Sequence, residues 1–156
     1  RSGGERRGPD WSIVDGLRAT DYVATAVELV DLRTLNGEPE SEAKRTVLDN
    51  IADNAANAAL VLGGRPVRPD DVDLRWIAAL CYRNGIIEES GVAAAVMNNP
   101  ANGVAWLANK LAPHGVKLEP GQVVLGGSFT RTVFARAGDK FHIDYGSLGA
   151  ITCNFV

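Results

Sequence analysis

The chain lacks most of the features that would place it quickly. It has two cysteines, Cys81 and Cys153, in 156 residues. Both fall in apolar, strand-like runs, which reads as small buried thiols in a reducing, cytoplasmic compartment, with one structural disulfide as the alternative. No run approaches the roughly 18 apolar residues of a membrane helix, and the opening residues show no secretory-leader pattern. The net charge of −3 leaves no basic excess to favour nucleic acid or an anionic membrane. His142 has no second histidine or cysteine at zinc spacing. There is no internal repeat or low-complexity tract. The composition is 46% hydrophobic and 22% charged, ordinary for one globular domain with a real core. The sequence opens Arg1-Ser2-Gly3-Gly4-Glu5-Arg6-Arg7-Gly8, which reads as a loop, so further residues are expected upstream.

What is present centres on Thr20–Arg33. This stretch is β-branched and apolar, and reads as a buried strand. Alternation puts Tyr22, Ala24, Ala26, Glu28, Val30 and Leu32 on one face. Glu28 is then a carboxylate in an apolar row, and a buried carboxylate needs a cation, donors or a proton. Ala24 and Ala26 leave room beside it. That is the shape of half a hard-metal site, one oxygen donor on a rigid strand. The plainer alternatives are a Glu–Arg pair or a register that turns Glu28 to water.

The rest of the chain reads as short elements. Ser12 and Asp15 form a capping box for a helix to about Ala19. Thr34–Lys44 is a solvated loop, so its Glu-x-Glu spacing is rejected as a metal site. Val47–Asn57 gathers Asp53, Asn54 and Asn57 among alanines, as an exposed turn or a compact polar pocket. Ala58–Leu62 is a strand ended by Gly63-Gly64. Asp73–Arg83 alternates as a strand, with Leu74, Trp76, Ala78, Leu80 and Tyr82 on one face. Asn84-Gly85 turns it into a return strand, Ile86–Ser90. Glu88 and Glu89 belong to a solvated edge. Asn102 caps a helix to Leu111, striped by Val104, Leu107, Ala108 and Leu111, with Trp106 and Lys110 off the stripe. Further strands are expected at Gln122–Leu125, Thr132–Ala135, Lys140–Tyr145 and Ala150–Val156. Gly126-Gly127 lets backbone approach a ligand, and Ser128 and Thr130 offer hydroxyls; no Gly-Lys-Ser/Thr follows, so this is not a nucleotide loop. The sum is α+β: a β-rich mixed sheet or roll with a few short helices.

Several of these segments, in order, resemble the fumarylacetoacetate hydrolase superfamily. They include Glu28-Leu29-Val30-Asp31, Asp53-Asn54-Ala55-Ala56-Asn57, Tyr82-Arg83-Asn84-Gly85, Asn99-Pro100-Ala101-Asn102-Gly103, Leu125-Gly126-Gly127-Ser128-Phe129-Thr130 and Asp144-Tyr145-Gly146-Ser147-Leu148-Gly149. The likeness covers nearly all of residues 1–156 as one fumarylacetoacetase-type domain, but only the C-terminal part of such an enzyme. It implies a divalent ion, Mg²⁺ with Mn²⁺ as an alternative, held by three carboxylates. Two of these lie on an upstream Glu-x-Glu strand and the third matches Glu28. This sequence has no such Glu-x-Glu strand and no counterpart of the family's upstream lysine. The resemblance implies a hydratase that adds water to an unsaturated 2-oxo acid, in a homo-oligomer. By position, Asn54, Asn57, Ser128 and Thr130 bind substrate, with Asp53 orienting its neighbours and the general base upstream. Arg33, Arg131 and the Ser128–Thr130 turn are alternatives for holding a second substrate carboxylate. A sister decarboxylase, a monocarboxylate hydratase and a non-catalytic partner subunit are the competing readings.

Overall fold

A computed structural model describes residues 10–31, 33 and 46–156. The opening loop, Leu32 and the Thr34–Lys44 loop lie outside the described residues. The capping box forms as read: Ser12 accepts from the Asp15 backbone, Asp15 answers the Ser12 backbone, and α1 runs Ile13–Ala19. A second box, Thr46 with Asp49, starts α2, Val47–Ala52, a helix the alanine-rich stretch concealed. β1 is Val23–Val30 and pairs antiparallel with β2, Asn57–Val67. β3 (Ala78–Arg83), β4 (Ile86–Val92), β5 (Lys140–Asp144) and β6 (Ala150–Asn154) form an antiparallel sheet in the order β4-β3-β5-β6. α3 spans Pro100–Leu111. The architecture is the β-rich α+β fold with short helices.

The ribbon of β1 and β2 lies against the four-stranded sheet. Ala79, Phe141 and Ile143 are buried at the centre, with Val27 from β1, Cys81, Phe129, Val133, Tyr145, Cys153 and Phe155 packed around them. Both thiols are free and sit on this core side, where burial pushes the Cys81 thiol up. Gly63 and Gly64 do not end β2 but lie within it, because the ribbon needs close approach there. A Cβ at Gly63 would meet the Ile151 side chain at 2.6 Å. One at Gly64, where φ is +67°, would meet the Leu148 carbonyl and the Thr25 hydroxyl, each at 2.3 Å. α1 packs on α3 through small residues, with Gly16, Ala101 and Ala105 buried.

Four local expectations are corrected. Asp73–Arg83 is not one strand: Asp73 caps a tight turn at Leu74–Trp76, and Leu74 is buried while Trp76 is exposed. α3 is capped by Asn99 rather than Asn102, because Pro100 supplies a ready-made first helical residue. Asn102 instead donates to the Met97 carbonyl at 2.9 Å. Gln122–Leu125 and Thr132–Ala135 carry no ladder among the described residues. Val133 points to the core and Phe134 to solvent, so the alternation there reflects packing without strand pairing. Glu88 and Glu89 do lie on an edge strand, but each is matched: Arg83 Nε donates to Glu88 at 2.8 Å and Arg131 Nε to Glu89 at 2.9 Å. His142 meets the Thr152 hydroxyl at 2.9 Å across β5 and β6, a structural contact.

Candidate functional site

Glu28 stands opposite Leu60 in the ribbon. It is exposed, not buried in an apolar row as its neighbours suggested. β1 is apolar on both faces, so alternation alone cannot say which face turns inward. Thr25 and Val27 take the core side, and Glu28 is carried outward beside Ala26 and Val30. The carboxylate is nevertheless held. Asn57 Nδ2 donates to Glu28 Oε1 at 2.8 Å, leaving Oε2 without a partner among the described residues.

Asn57 is delivered by an unusual turn. Asn54, Ala55 and Ala56 all have left-handed φ, +51°, +54° and +63°. Left-handed backbone costs about 1–2 kcal/mol for a residue with a Cβ. The turn is closed by the Ala56 N–H on the Asp53 carbonyl at 2.8 Å and by the Asp31 N–H on the Ala56 carbonyl at 2.9 Å. Arg33 adds a fork: Nε donates to Asp53 Oδ1 at 2.8 Å, and Nη2 donates to the Asp53 carbonyl at 2.8 Å and the Asn57 carbonyl at 3.0 Å. Asp53 is buried in this arrangement. Asn54 is exposed at the turn.

The second group lies on the glycine-rich loop. The Ser128 hydroxyl donates to the Thr130 carbonyl at 2.8 Å and accepts from the Thr130 N–H at 3.3 Å. Ser128 therefore shapes the turn, and the Thr130 hydroxyl is the one without a protein partner among the described residues. The glycines permit tight seating: a Cβ at Gly126 would press on Pro100 and one at Gly127 on Val96.

Sequence reasoning missed the residue that ties the two groups together. Tyr145 Oη donates to the Ala26 carbonyl at 2.8 Å, two residues from Glu28. Its ring meets Phe129 edge-on, with centroids 6.5 Å apart, between Ser128 and Thr130. Burial, with Cys81 and Cys153 nearby, pushes the phenol up to about 12, so it stays protonated and donating at neutral pH. The only signal in the sequence was a tyrosine opening the Gly146–Gly149 turn.

Arg33 and Arg131 already face carboxylates, Asp53 and Glu89, at 2.8 and 2.9 Å. An open cleft between Leu17–Asp21 and Arg68–Asp70 is lined by none of the site residues. No three acidic, histidine or cysteine side chains cluster for a metal among the described residues. Glu28 fits as one oxygen donor of a hard-cation site. It does not complete one, since Mg²⁺ demands near-octahedral coordination.

The chain is similar to known proteins along most of its length. The chain is 63% identical over 150 residues to 2-oxo-hept-4-ene-1,7-dioate hydratase of Escherichia coli, covering 96% of this chain and 56% of that protein. It is 36% identical over 149 residues to 4-oxalocrotonate decarboxylase of Pseudomonas putida, covering 96% and 54%. The solved structure of 4-oxalocrotonate decarboxylase from Pseudomonas putida G7, complexed with magnesium and adipate, superposes with a TM-score of 0.81 at 32% identity, covering 92% of this chain and 52% of that one. A second structure of that decarboxylase holds calcium and acetate. The chain thus spans about half the length of the relatives it matches. The fumarylacetoacetate (FAA) hydrolase C-terminal model matches residues 14–156, and the chain belongs to that family.

Proposed function

We propose that this chain is the C-terminal part of a divalent-metal-dependent hydratase. Its substrate would be 2-oxo-hept-4-ene-1,7-dioate, hydrated to 4-hydroxy-2-oxoheptanedioate in aromatic catabolism, on the 4-hydroxyphenylacetate route. We take the enzyme to be cytoplasmic and homo-oligomeric, with Mg²⁺ as its ion and Mn²⁺ as a substitute. The observation that carries this reading is the 63% identity to the Escherichia coli hydratase along 96% of the chain. The magnesium and calcium complexes of the related decarboxylase support a divalent ion.

The reaction adds water across a carbon–carbon double bond. Because the C4=C5 bond is not conjugated with the 2-oxo group, a proton must first leave C3 and one must be delivered to C5. Water then adds at C4 and a proton returns to C3. The proton moves are general acid–base steps in which negative charge builds on the 2-oxo oxygen. When bound, the ion supplies fixed positive charge for that oxygen. Glu28 presents Oε2 as one of its oxygen donors, while Asn57 fixes the carboxylate through Oε1. Asn54 offers an amide to the substrate from the strained turn. Thr130 offers a hydroxyl to a substrate carboxylate, and Ser128 holds the turn that aims it.

The test is the loss of dienoate absorbance catalysed by the purified protein with Mg²⁺. Glu28→Gln should lower kcat/KM by at least about a hundredfold, as loss of a metal ligand requires, and weaken Mg²⁺ activation. A Glu28→Gln enzyme with unchanged Mg²⁺ dependence sinks the metal role. Decarboxylation is the second reading, favoured by the 36% identity and the structural likeness to 4-oxalocrotonate decarboxylase. Carbon dioxide release, measured alongside, separates the two.

A further inference from the structure

We propose that Arg33 and Asp53 form a positioning pair for Glu28: together they clamp the left-handed turn that holds the Asn57 amide on the Glu28 carboxylate. The inference rests on the reading of Glu28 as a metal ligand given above.

A run of three left-handed residues, two of them alanine, does not persist unless its surroundings hold it. Arg33 is what spans it. Its guanidinium reaches the Asp53 carboxylate and the Asp53 carbonyl just before the run, and the Asn57 carbonyl just after it. A planar fork can make these contacts together; a lysine ammonium, a single point on a flexible stem, cannot. The next link is the Asn57 side chain, bonded to Glu28 Oε1 at 2.8 Å. The chain of contacts therefore runs from Asp53 through Arg33 to the turn, then to Asn57 and Glu28. Groups that orient a metal ligand typically change metal affinity about 10–100-fold when removed. The arrangement also argues against Arg33 as the holder of a second substrate carboxylate, because two of its nitrogens are committed to the turn.

The probe is Mg²⁺ alone, titrated calorimetrically into the whole purified protein. Arg33→Ala should raise the Mg²⁺ Kd about tenfold or more. Arg33→Lys keeps a cation opposite Asp53 and should stay folded, with a Kd still raised severalfold. Arg33→Ala added to Asn57→Ala should change the Kd no further, since both act through the same amide. A folded Arg33→Lys protein with wild-type Mg²⁺ affinity overturns the proposal. So does an additive double mutant, or a rise in substrate KM with the Mg²⁺ Kd unchanged, which would put Arg33 on the substrate. If the wild-type protein binds no Mg²⁺, the reading of Glu28 itself fails, a distinct result.

Discussion

Gly91 gives a sharp test of whether the Ser128–Thr130 turn belongs to the site. A Cβ built at Gly91 lies 1.9 Å from the Phe129 carbonyl oxygen and 2.9 Å from its carbonyl carbon. Both atoms are backbone, so no side-chain rotation can relieve the clash. Ordinary contact begins near 3.4 Å, so Gly91→Ala must move the Phe129 backbone, or β4, by roughly 1.5 Å. Overpacking of this kind costs about 1–3 kcal/mol, which for a chain of this size lowers Tm by about 3–10 °C. Phe129 lies between Ser128 and Thr130, so the displacement is transmitted to both. Misplacing a positioning group by about 1 Å costs on the order of a hundredfold in rate. Gly91→Ala should therefore retain its fold, melt a few degrees lower and lose about a hundredfold in kcat/KM. The assays are differential scanning calorimetry and dienoate turnover on the same preparation. A lowered Tm with wild-type kcat/KM would remove the turn from the site. Wild-type values for both would refute the close approach itself.

Other consequences are separately testable. Tyr145→Phe deletes the hydrogen bond to Ala26 but keeps the ring against Phe129; it should cost about 1 kcal/mol in urea unfolding, and a cost below 0.3 kcal/mol would make the bond irrelevant. Because the folded Tyr145 titrates above its ordinary value of 10.0, at about 12, its contribution is complete below pH 10 and fades as pH rises towards 12. Wild-type protein should lose stability across that window faster than Tyr145→Phe; parallel curves would exclude the linkage. The buried Thr25 hydroxyl has no hydrogen-bond partner among the described residues. Thr25→Val keeps the shape and removes the unpaired group, so Tm should hold or rise by about 1–3 °C. A clear fall in Tm would mean that the hydroxyl is satisfied after all.

Local chemistry decided a good deal from sequence alone. The Ser12–Asp15 box and the Asn84-Gly85 hairpin depend on near neighbours, and each formed where expected. The ordered set of segments was enough to indicate the family. It also singled out Glu28 and Asn57, now seen bonded to each other across the ribbon. Where two local signals competed, sequence failed. Asn99 and Asn102 could each cap α3, and the proline between them settled it. The face of β1 could not be chosen either, because Val27 and Ala26 are both apolar and only contact with Phe141 and Ile143 selects one. The clamp by Arg33 and the strut from Tyr145 join residues 20 and 119 positions apart. Nothing in a residue's own neighbourhood encodes such partners. They exist because the ribbon lies on the four-stranded sheet, and that packing is a property of the whole chain.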